Sequence, residues 1–200
     1  DMQRQKRGYG KGFIVTNPNC AILSFAPPLA ALERKFGIES VVVTTMQAIS
    51  GAGYPGVSSM DIMDNVLPYI AGEEPKVETE AQKILGTYDD GMIKKADFTV
   101  SAQCFRVNVL DGHTASVRIK LRKPSTLEEV IEAMETFPVL DLHSSPKKFI
   151  EVLDEPSRPQ PRLDRDRGNG MTITVGRVFP DNVFDYRFVG LSHNTVRGAA

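Results

Sequence analysis

The chain is poor in cysteine, with two thiols, Cys20 and Cys104, among its 200 residues. Two cysteines are too few for a disulfide scaffold or for a metal site of four thiolates. The three histidines, His113, His143 and His193, are scattered and lie in no close cluster with cysteine or aspartate, so the sequence predicts no metal site. We therefore expect reduced thiols and a cytoplasmic protein.

The sequence also lacks long apolar runs and a surplus of either charge. No stretch reaches the ~18 apolar residues that suggest a membrane span, and residues 1–7 lack the apolar segment of a signal peptide. The formal net charge of −1 gives no broad electrostatic reason to expect nucleic acid or a membrane as a partner. An apolar content of 41% is enough for one domain with one substantial core.

Hydrophobic periodicity and turn residues predict short strands with few helices between them. The predicted strands are residues 12–16, 41–45, 98–110, 114–121, 171–179 and 184–191. The predicted helices are 21–36, with a break or kink at Pro27 and Pro28, 77–85, and 127–137 after capping-box spacing at 125–128. The turn at Asp111-Gly112 favours a hairpin between 98–110 and 114–121. Residues 154–170 form a long loop, which we expect to pack against another subunit or domain.

Strands and helices do not alternate as regular βαβ units along this chain. The pattern predicts an α+β fold of two layers, in which helices cover one face of a largely antiparallel, mixed sheet.

Cys20 is a candidate nucleophile because it follows a strand and a Pro-Asn turn, at the point where a helix is predicted to begin. Backbone N–H groups there favour a thiolate, can lower the pKa of the thiol and can stabilise an oxyanion. An arbitrary cysteine is more often a small buried hydrophobe, which is our interpretation of Cys104 in mid-strand. His113 follows the Asp111-Gly112 turn and could serve Cys20 as acid and base near neutral pH. His143 and His193 compete for that role.

Three further features are weak when each is taken alone. Arg106 on a strand could clamp a carboxylate, although most strand arginines point into water. Glu80 and Lys83 share a helix face and are usually explained as a surface ion pair. The glycine-rich segment 51–56 has no helix at the spacing of a dinucleotide fingerprint, so a tight loop and a ligand-contacting loop remain equally good interpretations.

These features occur in a specific order, and in that order the chain resembles the aspartate-semialdehyde dehydrogenases of fungi and archaea over nearly all of its length. The motifs that carry the resemblance are TNPNC (16–20), TMQAISGAG (45–53), GEE (72–74), EAQKIL (80–85), CFRV (104–107), DGHT (111–114), RPQPRLDR (158–165) and LSHNT (191–195). One departure is Ala21, where the family often has a hydroxyl residue directly after the nucleophile.

The resemblance implies a role for each matched residue. Cys20 is expected to be the nucleophile that forms a thioester, and His113 the acid/base. The implied substrate-binding residues are Gln47, which orients the substrate, Arg106 for its α-carboxylate, Glu80 for its amino group and Lys83 for phosphate. The implied cofactor is NADP: Ser50 and Gly51 match the loop that contacts the nicotinamide cofactor, and Asn194 matches a residue near its nicotinamide end.

The resemblance also implies a fold like the C-terminal domain of glyceraldehyde-3-phosphate dehydrogenase, and a homodimer or homotetramer. We expect residues 1–200 to be the catalytic and dimerisation domain, without the N-terminal dinucleotide-binding domain and the C-terminal helix of family members. The expected activity is NADP-dependent reduction of aspartyl phosphate to aspartate semialdehyde, in lysine, threonine and methionine biosynthesis. A malonyl-coenzyme A reductase of the same fold, a non-catalytic dimerisation module and, with least support, a nucleic-acid-binding protein remain as alternatives.

Overall fold

A computed structural model of the chain describes residues 8, 10, 14–89 and 91–198. Its strands are β1 (Ile38–Gln47), β2 (Val66–Leu67), β3 (Thr87–Asp89), β4 (Met92–Lys94), β5 (Thr99–Val107), β6 (His113–Leu121), β7 (Ile150–Leu153), β8 (Ile173–Pro180) and β9 (Tyr186–Ser192). Its α-helices are α1 (Ala26–Phe36), α2 (Ser59–Ile62), α3 (Glu73–Ile84), α4 (Leu127–Glu135) and α5 (Pro161–Asp164), and two 3₁₀ turns span Ile22–Ser24 and Ile49–Ala52. No helix in this described part of the chain is both long and apolar enough to cross a membrane.

One mixed sheet holds seven of these strands, in the order β2-β5-β1-β6-β9-β8-β7. The pairs β1–β5 and β7–β8 are parallel, and the other four neighbouring pairs are antiparallel. Strands β3 and β4 form a separate small hairpin. The predicted α+β class with a largely antiparallel, mixed sheet is therefore confirmed.

Alternation along the strands separates the two faces of the sheet. In β1, Val41 and Val43 are buried, whereas the alternate residues Val42 and Thr44 are partly exposed. The buried face packs in one hydrophobic core with apolar side chains of α1, α3 and α4, where burying each large aliphatic side chain contributes about 1.5–3 kcal/mol. Helices thus cover one face, as predicted, and the opposite face keeps partly exposed apolar side chains.

Helix α3 is fixed along the edge of β5 by side chains that recur every four residues on one helical face. The three bonds run from Cys104 N to Glu74 Oε1 (3.1 Å), from Ala102 N to Glu78 Oε1 (3.0 Å) and from Gln82 Nε2 to Phe98 O (2.7 Å). They satisfy backbone groups that the short β2 leaves without a strand partner. The same contacts orient a second face of α3, carrying Glu73 and Glu80, toward the segment that contains Cys20.

The predicted hairpin between β5 and β6 is wrong, because β1 lies between these two strands. The connection 108–112 passes the end of β1, where Ile49 N donates to Val109 O (2.8 Å) and Ser50 N donates to Leu110 O (3.2 Å). A two-residue turn signal reports only the local reversal of the chain, whereas β1 pairs with both strands through contacts that are distant in sequence. This crossing brings His113, the first residue of β6, to the end of β1.

Other local predictions are shifted. Residues 14–16 are irregular rather than strand, and residues 12 and 13 of that predicted strand lie outside the described residues. The predicted break in helix 21–36 falls at Phe25, and Pro27 and Pro28 then occupy the first turn of α1, where no N–H is needed. The capping box of α4 is formed one residue later than predicted, by Thr126 and Glu129.

Candidate active site

The thiol of Cys20 and the imidazole of His113 meet in the structure, with 3.3 Å between Sγ and Nε2. Cys20 lies in the turn directly before the first 3₁₀ segment, and His113 is completely buried at the start of β6. These two residues are 93 positions apart in sequence, so the topology around β1 creates the pair. Their separation is suited to nucleophilic catalysis by a cysteine with a histidine partner.

The pKa of the Cys20 thiol is raised from its ordinary value, mainly because burial disfavours the thiolate and also because of the negative charge of Glu73. Backbone N–H groups of Cys20 and Ala21 and the charge of Arg106 act in the opposite direction. The backbone N–H groups therefore lower the pKa of the thiol, as expected, but burial and Glu73 outweigh them. The segment after Cys20 is a 3₁₀ turn of three residues, Ile22–Ser24, whose dipole is too short to outweigh burial.

His113 is held as a neutral imidazole with a defined tautomer. Its Nδ1 accepts a hydrogen bond from Ala48 N (3.0 Å), so the ring proton is on Nε2, which faces Cys20. Burial, followed by the positive charge of Arg106, lowers the pKa of His113 to about 3. The expectation of a group that titrates near neutrality is thus wrong for this state, in which His113 is a hydrogen-bond donor toward the sulfur.

Gln47 lies beside residues 16–20, the segment that ends at Cys20 and is called the thiol segment below. The two are joined because Gln47 and Asn19 are both hydrogen-bonded to Glu73. Gln47 is the last residue of β1 and is buried, and its Nε2 donates to Glu73 Oε1 (2.9 Å). The same oxygen accepts from Nδ2 of Asn19 (2.8 Å), the residue directly before Cys20. The structure therefore brings Gln47 next to the thiol segment, as a substrate-orienting residue requires.

Arg106, near the end of β5, is buried on the same side of the sheet as Gln47, its partner in the parallel pairing of β1 and β5. Its Nη1 donates to Ala48 O (2.8 Å). Gly51 leaves the space in which this guanidinium and the imidazole lie together. A Cβ added at Gly51 would be 2.7 Å from His113 Cε1, 2.8 Å from His113 Nε2 and 3.0 Å from Arg106 Nη1. A glycine at position 51 is therefore required by the geometry of the site.

Ser50 and Asn194 are joined by a hydrogen bond from Asn194 Nδ2 to Ser50 Oγ (2.8 Å). Asn194 Oδ1 also accepts from Gly112 N (2.8 Å), just before His113. Both residues thus lie beside the imidazole, together with Gly51. The structure thus groups the three residues for which the resemblance implied cofactor contact.

Glu80 and Lys83 line a cavity of about 560 Å³ beside residues 16–18. Glu80 Oε2 accepts a hydrogen bond from Asn19 N (3.0 Å), which ties α3 to the thiol segment. Lys83 lies one turn of helix further along in the same cavity. The pair is therefore not simply a surface ion pair, because Glu80 is bonded to the backbone beside Cys20.

The competing residues are placed elsewhere. Cys104 is fully buried in β5, and burial is the main cause that raises its pKa to about 11, as expected for a core thiol. His193 Nδ1 contacts Thr195 Oγ1 (3.1 Å), and its Nε2 lies 3.6 Å from Asp166. His143 is exposed in the connection before β7. The described residues contain no group of three or more histidine, cysteine or acidic side chains able to hold a metal ion.

Sequence reasoning missed three contributors to the site: Glu73, the amide of Ala48 and Gly198. Gly198 packs closely against Cys20, which only a residue without a side chain allows, since an added Cβ would lie 2.8 Å from Cys20 Cβ. Glu73 occurs within a motif noted above, but no local signal distinguishes it from Glu74. Each of the three acts through a contact that is distant in sequence.

A partly buried thiol beside a neutral imidazole, with a guanidinium and an amide side chain close by, is the arrangement expected of an enzyme site with a cysteine nucleophile. Comparison with known proteins gives the family. The model of the semialdehyde dehydrogenase dimerisation domain matches residues 29–197. The chain belongs to this family.

Curated relatives named aspartate-semialdehyde dehydrogenase are similar over the whole chain. The protein from Aspergillus fumigatus is 53% identical over 99% of this chain, and that from Archaeoglobus fulgidus is 51% identical over 100% of it. The chain spans 58% of the length of each relative. Similarity to fungal and archaeal proteins confirms the resemblance derived from the motifs.

Solved structures of the same name are also similar in fold. An aspartate semialdehyde dehydrogenase with NADP from Candida albicans has a TM-score of 0.86 and 43% identity, and covers 99% of this chain and 58% of its own. An aspartate semialdehyde dehydrogenase II complexed with ASA from Vibrio cholerae has a TM-score of 0.74 and 26% identity, over 94% of this chain and 58% of its own.

Proposed function

We propose that residues 1–200 are the catalytic and dimerisation domain of an NADP-dependent aspartate-semialdehyde dehydrogenase. The observation that carries this proposal is the 3.3 Å approach of Cys20 and His113 at the point where Arg106 and Gln47 converge. The names of relatives about 50% identical over the full chain support the same substrate. In this proposal a dinucleotide-binding domain in another part of the protein supplies most of the affinity for the cofactor.

In the biosynthetic direction, the Cys20 thiolate attacks the acyl carbonyl of aspartyl phosphate. A carbon–sulfur bond forms, the bond from the carbonyl carbon to the phosphate oxygen breaks, and phosphate leaves. The product is a thioester on Cys20, which divides one difficult displacement into two easier steps. Because the pKa of the thiol is raised, little of it is ionised near neutral pH, so binding of substrate has to favour the thiolate.

His113 Nε2–H points to the place where negative charge develops. It faces the sulfur at 3.3 Å, and in the proposed tetrahedral species it would donate to the oxygen on the attacked carbon. The bond from Ala48 N keeps this donor in position without rearrangement during the reaction. Neutral His113 thereby stabilises this oxygen as a hydrogen-bond donor, and its proposed acid/base role requires that the imidazole first take up a proton.

Arg106, Glu80 and Lys83 provide the charges that an amino-acid phosphate requires. We assign the α-carboxylate to Arg106, because a buried guanidinium binds a carboxylate in a planar, two-pronged geometry. Glu80 is assigned to the amino group and Lys83 to the phosphate, since both line the cavity beside the thiol segment. Gln47 orients the reacting acyl group beside Cys20.

The residues near His113 fit the nicotinamide end of NADP. Gly51 keeps the face of the imidazole open, and the Ser50–Asn194 bond holds two polar side chains next to it. When bound, NADPH supplies the hydride that reduces the thioester to the aldehyde level. Ser50, Gly51 and Asn194 orient the ring of the cofactor for that transfer.

We also propose that the protein is a cytoplasmic homodimer or homotetramer. The face of the sheet opposite the helices presents partly exposed apolar residues, among them Val42, Met46 and Phe105, which a second copy could cover. The family of dimerisation domains to which the chain belongs supports this arrangement. Sedimentation of the intact protein tests it, because a monomer at micromolar concentration contradicts the proposal.

The experiment that tests the function is a spectrophotometric assay of the intact protein with aspartate semialdehyde, phosphate and NADP. We expect formation of NADPH that depends on phosphate. Absence of NADPH with this substrate, together with activity on malonyl-coenzyme A, would assign the chain to the alternative reductase. The variant Arg106→Lys should raise KM for aspartate semialdehyde about tenfold or more, because a lysine cannot form the planar fork. An unchanged KM and kcat would remove Arg106 from the site.

A further inference from the structure

Glu73 is a buried carboxylate to which the proposed reaction gives no role. It is the first residue of α3 and is 7% exposed. A single oxygen, Oε1, accepts both the Asn19 Nδ2 bond (2.8 Å) and the Gln47 Nε2 bond (2.9 Å). A buried carboxylate normally has a cationic partner in direct contact, whereas the hydrogen bonds described here come from uncharged amides.

The two amides belong to the two segments whose relative position matters for the chemistry. Asn19 directly precedes Cys20, and its Oδ1 accepts from Ala21 N (2.8 Å), so its side chain also fixes the backbone after the thiol. Gln47 ends β1, next to the Ala48 amide that holds His113. A displacement of either amide therefore moves a reacting group.

Building on the proposed function, we propose that Glu73 is a positioning residue that joins the Cys20 segment to the end of β1 through one oxygen, while its negative charge acts on the sulfur. It does not touch the reacting atoms. The edge contacts of Glu74 and Glu78 with β5 keep α3, and with it Glu73, fixed relative to the sheet.

The charges around Cys20 oppose one another. Glu73 disfavours the thiolate and raises the pKa of the thiol, whereas Arg106 favours the thiolate and lowers it. The third neighbour, His113, is neutral above pH about 3. If the charge of Glu73 alone is removed, the positive charge of Arg106 is no longer counteracted, and the thiol of Cys20 should ionise more readily.

The test compares Glu73→Gln with Glu73→Ala in the intact protein. Glutamine keeps an oxygen that can accept from both amides but removes the charge, and alanine removes both. The readout is the rate of iodoacetamide alkylation of the peptide that contains Cys20, followed by mass spectrometry from pH 6 to 10, with kcat and KM measured in parallel.

For Glu73→Gln we expect a several-fold rise in the alkylation rate at pH 7 and a profile displaced to lower pH, with kcat largely kept. For Glu73→Ala we expect kcat to fall on the order of 10²-fold, because loss of the oxygen lets the two segments shift. The matched control is Glu135→Gln, which removes one negative charge from an exposed position at the end of α4 and should leave the Cys20 profile unchanged.

A Glu73→Gln profile that superimposes on wild type overturns the electrostatic part of the proposal, and a Glu73→Ala kcat near wild type overturns the positioning part. Alkylation requires neither substrate nor cofactor. A protein that fails the dehydrogenase assay but shows the displaced profile therefore contradicts the proposed function and not the role of Glu73 in setting the reactivity of the thiol.

Discussion

Two buried carboxylates, Asp164 and Glu73, are held in opposite ways. Asp164 is fully buried and is bonded by two guanidiniums, those of Arg158 and Arg167, and by Gln160 N. These partners outweigh the effect of burial and lower its pKa to about 2. Glu73 is bonded by the amides of Asn19 and Gln47, and its charge still reaches Cys20 and Arg106.

The difference shows what each region does. At Asp164 the charge is matched by direct cationic partners, and the result is a firmly fixed loop. That loop supports the turn before His113, since Arg165 Nη1 donates to Asp111 O (3.1 Å). At Glu73 the charge is left available, and it acts on the thiol that we propose as the nucleophile. The first region should therefore determine stability and the second should determine reactivity.

The largest effect should come from Cys20→Ala, which removes the proposed nucleophile. Turnover should fall by on the order of 10⁴-fold or more, and thermal stability should change little. The matched control is Cys104→Ala, which should keep turnover and lose about 1–2 kcal/mol of stability, since this thiol is in the core. Steady-state kinetics and thermal melts measure both. Turnover near wild type in Cys20→Ala would end the assignment.

The next effect in size should come from Gly51→Ala, which places a Cβ against the imidazole and the guanidinium. We expect kcat/KM to fall on the order of 10²-fold with little change in the melting temperature, because the clash displaces reacting groups. Gly8→Ala is the control, since an added Cβ there meets nothing within 4 Å. Equal kinetics for Gly51→Ala and wild type would show that His113 and Arg106 tolerate a shift.

The smallest effect on activity and the clearest effect on stability should come from Asp164→Asn. Loss of the charge leaves two guanidiniums without their partner, and we expect unfolding to become easier by about 3 kcal/mol. At a temperature where the variant is folded, kcat should stay within a few-fold of wild type. Chemical denaturation and kinetics are the measurements. The control is Asp166→Asn, which should change stability by no more than about 0.5 kcal/mol, because Asp166 is exposed.

The same variant gives a pH dependence with a defined sign. The folded-state pKa of Asp164, about 2, lies below its ordinary value of 3.8. Its contribution to stability is therefore fully present above pH 4, approximately, and is lost as the pH falls toward 2. Asp164→Asn should flatten that part of the acid denaturation curve. An acid denaturation curve of unchanged shape would mean that protonation of Asp164 does not affect the stability of the fold.

Much of the fold followed from local patterns. The alternation in β6, the stripe on α4 and the final strand pair β8–β9 are each determined within about ten neighbouring residues. The wrong hairpin at Asp111-Gly112 has a different origin. The partner of β5 and β6 is β1, whose paired residues lie 59 positions from those of β5 and 68–83 positions from those of β6, and no turn residue reports on it.

The sequence predicted which residues form the site, but not how the fold shifts their pKa values. Cys20, Gln47, Arg106 and His113 were found from their order in the sequence, and the structure brings them together. The directions of the pKa shifts of Cys20 and His113 could not be predicted from the sequence, because burial depends on the packing of the whole chain. The same limitation explains why Glu73 was missed, since its function depends on two amides that meet it only in the fold.

The most direct test of the central claim is mass spectrometry of the Cys20 peptide after the intact protein is mixed with aspartate semialdehyde and NADP in the absence of phosphate. Oxidation of the aldehyde on the sulfur, without phosphate to release the acyl group, should leave an aspartyl thioester on Cys20 within the first turnover. We predict this mass increase on Cys20 and its loss when phosphate is added. NADPH formation with Cys20 unmodified, or an acyl group on another residue, would contradict it.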